Sequence, residues 1–326
     1  MHKLRPSTAR ALLKRARGRK VLVVGDLMID EWIWGSVTRI SPEAPVPVVA
    51  VGAHSFTLGG AGNVANNLRA LEAKVWLAGT VGNDAFASQI RDLLRRNKVD
   101  ARGVYELSDR PTTRKTRVVA HNQQVVRADW ESTAAPAAGE RAQLAAFVRA
   151  RAPKCDAVVF SDYGKGLLSR EIVEAAFGCP LVLVDPKPQN IDLFDGVTCI
   201  APNAAEASTI TGIPIADDVA LDAVGRRLFE RLHCRYVVIT RGESGMAFFA
   251  RKGRRLHVPS VARTVFDVSG AGDTVIATLA LGLAAGAPID EAVALANFAA
   301  GAVVEKLGTA TASADEILAL VDHAHA

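Results

Sequence analysis

Apolar residues recur along this chain in two alternating patterns. Short runs at 20–26, 75–79, 157–160, 181–185 and 236–240 are almost continuously aliphatic or β-branched, the signature of strands buried on both faces. Helical segments lie between them at about 62–70, 85–97, 139–151, 170–177 and 221–232, and a long apolar helix is predicted from 275 to 285. Strands alternating with helices predict a mostly parallel sheet covered by helices on both sides. In such sheets ligands bind beyond the C-terminal ends of the strands, and Asp26, Asp162, Asp185 and Thr240 fall at those ends.

Two stretches break this alternation. Residues 33–51 are rich in proline and valine, and 105–130 read as a strand and a hairpin, with arms at 113–119 and 124–129 and a turn near 121–122. Together they predict a small antiparallel sheet, with lid segments at about 31–52 and 104–130. One face of such a lid would cover the active-site mouth, and its other face or edge would pair with a second copy of the chain. Residues 133–138 are expected to be a loop.

Composition narrows the class. Of 326 residues, 49% are hydrophobic and 22% charged, as in a globular enzyme. The most apolar stretch, 275–287, is interrupted by Gly282 and Gly286 and falls short of the roughly 20 residues that span a bilayer. Residues 1–20 hold eight Lys or Arg and no acid, whereas the remaining 306 hold 31 basic and 34 acidic residues. The pI of about 9.1 therefore belongs to a basic arm (1–19), expected as an amphipathic surface helix, ahead of one domain from 20 to 326. The arm lacks the apolar core of a signal peptide, and nothing else points to nucleic acid or membrane as a partner. Cys155, Cys179, Cys199 and Cys234 are widely spaced with no C-x-x-C pair. They are expected to be buried thiols of a cytoplasmic protein.

Chemistry concentrates in a few segments. Phe266-Asp-Val-Ser-Gly-Ala-Gly-Asp273-Thr274 joins Gly270 and Gly272 to the start of the long apolar helix, where outward N–H groups and the helix dipole make an anion site. A carboxylate beside a phosphate cradle has a purpose if it takes a proton from an attacking hydroxyl. An Asp-capped glycine turn also opens many ordinary helices, so agreement from distant segments decides. Leu58-Gly-Gly-Ala-Gly-Asn-Val-Ala-Asn-Asn67 places Gly59, Gly60 and Asn63 where a polyhydroxylated ligand could be gripped. Asp30, after the first strand, is suited to accept paired sugar hydroxyls.

The Gly-Gly-Ala-Gly-Asn-Val-Ala-Asn and Asp-Val-Ser-Gly-Ala-Gly-Asp-Thr segments resemble the two signatures of the ribokinase-like (pfkB) carbohydrate kinases, over about residues 20–320. Arg39-Ile-Ser-Pro-Glu-Ala-Pro-Val-Pro-Val-Val49, Ser161-Asp-Tyr-Gly-Lys-Gly166, Val184-Asp-Pro-Lys-Pro188 and Pro202-Asn-Ala-Ala-Glu206 are similar to the subgroup that phosphorylates D-glycero-D-manno-heptose 7-phosphate at O1, in ADP-heptose and lipopolysaccharide core synthesis. The resemblance implies a three-layer α/β sandwich with a β lid that dimerises, ATP as co-substrate and Mg²⁺ as cofactor. It makes Asp273 the base, with the N–H groups of Gly270, Ala271 and Gly272 receiving the γ-phosphate. Asn203 and Glu206 would serve the nucleotide, Glu206 holding Mg²⁺ through water. Thr240 and Gly242 would border the triphosphate, Asn297 would lie near the adenine, and Asp30, Gly59, Gly60 and Asn63 would hold the sugar.

A substrate already bearing a phosphate needs a second cationic pocket. Lys115, Arg117 and Arg127 on the hairpin and Lys165 on a strand-end loop are the candidates, and Lys187 serves either this phosphate or those of ATP. Other sugars (ribose, fructose 1-phosphate, a ketodeoxy-acid) fit the same motifs. A dinucleotide oxidoreductase does not, because no G-x-G-x-x-G follows the first strand. An inactive scaffold is at odds with the intact Gly270, Gly272 and Asp273. No H-x-G-H occurs, so adenylyl transfer is expected of a separate protein.

Overall fold

The computed structural model describes residues 4–121, 123–262 and 264–325. In chain order the first elements are α1 (Pro6–Ala16), β1 (Lys20–Gly25), β2 (Leu27–Ile40), β3 (Pro47–Gly60), α2 (Ala61–Ala70), β4 (Lys74–Gly82), α3 (Ala85–Arg96) and β5 (Asp100–Leu107). There follow β6 (Thr113–Ala120), β7 (Gln123–Trp130), α4 (Ala138–Arg151), β8 (Ala157–Ser161), α5 (Arg170–Glu174), β9 (Val182–Asp185), β10 (Cys199–Ile200) and α6 (Ala204–Thr211). The chain ends with α7 (Asp218–Arg231), β11 (Tyr236–Thr240), β12 (Met246–Ala250), β13 (Arg255–Val258), α8 (Ala271–Ala284), α9 (Ile289–Val304) and α10 (Ala314–His323).

The main sheet has nine strands in the order β13-β12-β11-β10-β9-β8-β1-β4-β5. Pairing is parallel from β5 through β11 and antiparallel only at β11–β12 and β12–β13. Its continuous apolar strands feed two cores by simple alternation. Val21, Val23, Val159 and Leu183 face α1, α2, α8 and α9. Leu22, Val24, Phe160 and Val184 face α4, α5 and α7 on the opposite side. All four cysteines are buried free thiols, and burial pushes Cys155 up to about 12 and Cys234 to about 11.

The basic N-terminal stretch forms an amphipathic helix, as its pattern suggests. Ala9, Leu12 and Leu13 of α1 are buried in the core, packed towards α8 and α10, while Arg10 and Arg17 pair with Asp322 and Glu72. The stretch is thus a layer of the body and does not stand off as an arm.

The second sheet has the order β3-β2-β6-β7. The separate small sheet expected from the pattern is therefore present, with two differences from expectation. It draws on 27–60 and 113–130, because the strand around Tyr105 is β5 and completes the edge of the main sheet. One of its pairings, β2 with β6, is parallel, between antiparallel β2–β3 and β6–β7. The reason is topological: β2 and β6 follow β1 and β5, which run parallel in the main sheet, so both leave its C-terminal end in the same direction. Of the predicted turn near 121–122, His121 has φ +51 and residue 122 lies outside the described residues. No described helix is long and apolar enough to cross a membrane.

Candidate active site

The start of α8 supplies the centre. Gly270 caps the helix at φ +77, and a Cβ there would stand 2.5 Å from Asn63 Nδ2, so both conformation and space demand glycine. The Ala271 N–H turns back to the Val268 carbonyl at 3.2 Å. This corrects the expectation of three open amides, because the left-handed cap closes the preceding turn onto that donor. Among the described residues no acceptor takes the N–H of Gly270 or Gly272, and two unpaired amides at the positive end of a helix suit an anion.

Asp273, in the first turn of α8, is buried. Its Oδ2 accepts from Asn63 Nδ2 at 2.8 Å and its Oδ1 from Tyr163 Oη at 2.9 Å. Burial pushes its carboxyl up to about 7, against the opposing pull of those two hydrogen bonds; the negative Asp30 adds to the rise and Lys187 opposes it. A carboxylate balanced near neutrality is suited to taking and returning a proton. The predicted sugar residue Asn63 thus aims its amide at the base. Its own position is held by Asn67, whose Nδ2 donates to the Asn63 carbonyl at 3.0 Å and whose Oδ1 accepts from Thr274 Oγ1 at 2.9 Å. These bonds tie α2 to α8.

Two strand-end carboxylates hold the neighbouring loop. Asp26, after β1, accepts from the N–H groups of Tyr163 and Lys165 at 2.8 and 3.1 Å. Asp162, after β8, accepts from those of Gly164 and Lys187 at 2.8 and 2.9 Å. They position the loop that delivers Tyr163.

On the lid side, Asp30 of β2 is buried and paired with Arg117, whose guanidinium lies 4.9 Å over the Trp32 ring. A Cβ on Gly59 would come within 2.4 Å of Asp30 Oδ2, and Gly60 takes φ +55 with no room beside the Asp26 carbonyl. The sugar-side glycines thus admit the backbone turn from β3 into α2. The remaining basic candidates are gathered by two acids. Lys115 reaches Asp129 at 3.1 Å and Glu131 at 3.6 Å, Lys165 reaches Glu131 at 2.6 Å, and half-exposed Arg127 reaches Asp129 at 3.0 Å.

The nucleotide-side candidates line the other half of the cleft. Thr240, Gly242 and Asn297 border a cavity of about 230 Å³ that also touches Ala271 and Gly272, walled by Met246, Val275, Ala300 and Val304. Asn297 donates to the Pro259 carbonyl at 2.8 Å. Asn203 and Glu206 cap α6 reciprocally: Asn203 Oδ1 accepts from the Glu206 N–H and Glu206 Oε2 from the Asn203 N–H, both at 2.9 Å. Glu206 also pairs with Lys187. Burial disfavours the Lys187 ammonium, but Glu206, Asp185 and Asp162 outweigh it and raise its pKa.

Tyr163 carries no predicted role in the sequence, and Asp185 only its place among the strand ends that face a ligand. Asp185 ends β9, and a Cβ on Gly272 would lie 3.5 Å from its Oδ2. Burial, then the charges of Glu206 and Asp273, hold it well above the usual carboxylate range. The available signal for both was their place at strand ends, but the Tyr163 contact spans 110 residues, a separation that no local pattern encodes.

Residues 19–316 match the family description pfkB family carbohydrate kinase. The bifunctional protein HldE of Trichlorobacter lovleyi is 44% identical over 321 residues, covering 97% of this chain and 65% of its own length. That of Desulfatibacillum aliphaticivorans is 47% identical over 305 residues, covering 92% and 62%. The chain therefore spans less than two thirds of these relatives. Among solved structures, the tetrameric inhibited form of phosphofructokinase-2 from Escherichia coli superposes with a TM-score of 0.78 at 18% identity, covering 95% of this chain and all of the other. Arabidopsis thaliana ribokinase complexed with ribose and ATP gives 0.74 at 18% identity, covering 93% and 99%. These two likenesses define a ribokinase-like fold. With the family match running from β1 to α10 and a near-neutral carboxylate set at the positive end of α8, the chain belongs to the pfkB family of carbohydrate kinases, with ATP as the co-substrate a kinase of this family uses.

Proposed function

We propose that this chain phosphorylates D-glycero-D-manno-heptose 7-phosphate at O1, giving the 1,7-bisphosphate. The observation that carries the reading is Asp273, suspended between Asn63 and Tyr163 beside the unpaired amides of α8. The sugar lies between the lid and α2, with Asp30, Gly59, Gly60 and Asn63 along its hydroxyls. Asp273 takes the proton of the anomeric hydroxyl as its oxygen attacks the γ-phosphorus, the bond from that phosphorus to the β–γ bridging oxygen breaks, and ADP leaves. The amides of Gly270 and Gly272 and the dipole of α8 stabilise charge on the transferring group, and Lys187 steadies the phosphates. Thr240 and Gly242 border the triphosphate, and Asn297 closes the adenine end. The high identity to HldE proteins and the heptose-type segments at 39–49 and 161–166 favour the heptose over other sugars.

A kinase of this kind uses Mg²⁺, and the donor set fits one kept largely in its hydration shell. The carboxylate of Asp185 accepts no hydrogen bond from a described residue, and it lies with Glu206 and Asp162 around the ammonium of Lys187. No described group of three His, Cys, Asp or Glu could hold a metal directly. Asp185 and Glu206 would hold the hydrated ion, which supplies positive charge to the triphosphate.

Pairing of two copies through the lid belongs to the same reading. It is supported by Ile40, Val51, Val126 and Trp130, large apolar side chains that the lid leaves exposed. Adenylyl transfer is assigned to a separate catalytic unit.

The test is a panel of sugars under coupled ADP detection. Heptose 7-phosphate is expected to be turned over fastest, and faster turnover of ribose would refute the substrate. Asp273→Asn should retain ATP binding while losing about 10²-fold or more in turnover. Unchanged turnover would remove Asp273 from its role.

A further inference from the structure

Glu131 is placed like a bound phosphate. It follows the last residue of β7, where the chain leaves the lid, and a single oxygen, Oε2, contacts Lys165 at 2.6 Å and Lys115 at 3.6 Å. Both lysines are largely buried, with side chains 15% and 14% exposed, while Glu131 is 31% exposed. The lysines come from different parts of the fold. Lys115 lies on β6 in register with Asp30, and Lys165 sits on the loop that carries Tyr163 to the catalytic carboxylate. Arg110 fastens this loop to the segment behind Glu131, donating to the carbonyls of Lys165 at 3.0 Å and Ser132 at 2.9 Å. A Cβ on Gly166 would stand 2.4 Å from the Thr133 carbonyl, so the two segments are in close apposition.

Two ammonium groups converging from lid and body make a site for an anion with more than one oxygen. One carboxylate oxygen shared between them satisfies that site weakly, because each ammonium has three donors. Asp129 helps Lys115 but is itself shared with Arg127. Glu131 is also the more exposed of the two acids at the lysines and the one on an irregular segment, so it can leave with least disturbance to either sheet.

We propose that Glu131 is an internal counter-ion that occupies the place of the substrate's distal phosphate, and that a sugar phosphate binds by displacing it from Lys115 and Lys165. This rests on the reading of the substrate as a sugar that already carries a phosphate. The exchange moves no covalent bond: one anion leaves two ammonium groups and another takes them, with more oxygens to share. Because Lys115 belongs to the lid and Lys165 to the body, a phosphate held by both also fastens the lid over the sugar. The device discriminates as well. A sugar without a phosphate cannot replace Glu131 and leaves the lid pinned by the weaker internal pair.

The experiment compares the native chain with Glu131→Gln and Lys165→Met. KM is measured for heptose 7-phosphate and for the phosphate-free heptose at saturating ATP, and calorimetry follows binding of inorganic phosphate to each protein. Freeing two partly buried ion pairs should lower KM for the phosphorylated sugar in Glu131→Gln by about 3–10-fold. KM for the phosphate-free sugar should stay in place, and inorganic phosphate should bind more tightly by a similar factor. Lys165→Met should raise KM for the phosphorylated sugar and weaken inorganic phosphate. If Glu131→Gln leaves both KM for the phosphorylated sugar and phosphate affinity unchanged, or weakens them, the counter-ion role is wrong although the substrate assignment stands. If the native chain turns over no phosphorylated sugar, the substrate assignment fails, and the inorganic-phosphate titrations alone decide the role of Glu131.

Discussion

Replacing Tyr163 by phenylalanine isolates one hydrogen bond at the base. The Tyr163 hydroxyl donates to Asp273 Oδ1 at 2.9 Å. Burial, reinforced by the Asp273 charge, holds its own pKa well above 10, so it remains a donor throughout the working range. A donor favours the ionised carboxylate and lowers its pKa. The sign of the change follows: without the hydroxyl, Asp273 ionises at higher pH. A hydrogen bond to a charged group is worth about 1.5–3 kcal/mol, and one pKa unit corresponds to about 1.36 kcal/mol. Asp273 should therefore move from about 7 to roughly 8–9. At pH 7.5 the ionised fraction would fall from about three-quarters to just under one-tenth for a pKa near 8.5, a loss of roughly 8-fold in kcat/KM. The assay is kcat/KM for the sugar from pH 5.5 to 10, which reports the free enzyme's essential groups. The native ascending limb should lie near pH 7 and the variant's one to two units higher, with the two curves converging at alkaline pH. A limb at the same or lower pH in Tyr163→Phe would refute the reasoning. A uniform loss at every pH would instead mean that the hydroxyl only positions the carboxylate.

Three further changes probe the frame. Gly270→Ala combines a left-handed backbone with a Cβ 2.5 Å from Asn63 Nδ2; it should cost about 1–2 kcal/mol of stability in denaturant titration and more than about tenfold in kcat, because Asn63 is pushed off the base. Leu12→Ala empties a fully buried position in α1 and should cost about 2–5 kcal/mol; a loss under about 0.5 kcal/mol would mean that the basic helix is not part of the cooperative core. Lys187→Met leaves Asp185, Glu206 and Asp162 without their cation and should raise KM for ATP by roughly 10–100-fold, with heptose 7-phosphate KM changed far less.

Much of this architecture is written locally. The continuous apolar strands at 20–26 and 157–160 each place alternate residues into two cores, so their burial on both faces and the helices on both sides followed from pattern alone. The glycine turns at Gly59–Gly60 and Gly270 are local in the same sense, since a positive φ or a crowded Cβ leaves few alternatives to glycine. The lid was legible as strands, but the direction of β6 beside β2 was not. Strand direction depends on where each strand leaves the main sheet, and residue pattern is the same for either sense. The short β10 and the β12–β13 edge hairpin carry too few residues for a periodic signal.

By itself the sequence determined the layers, the two glycine-rich turns and the identity of the carboxylate at the start of α8. Each depends on spacing within a dozen residues and on conformations that few side chains permit. Only the tertiary structure decided what surrounds that carboxylate: Asn63 from α2, Tyr163 from the loop after β8, and burial strong enough to bring Asp273 near neutrality. The same holds for Lys115 and Lys165, which meet across lid and body with Glu131 between them. Desolvation and charge act through space and not along the chain, so the setting of the base and the partners of the lysines arise when distant segments fold together.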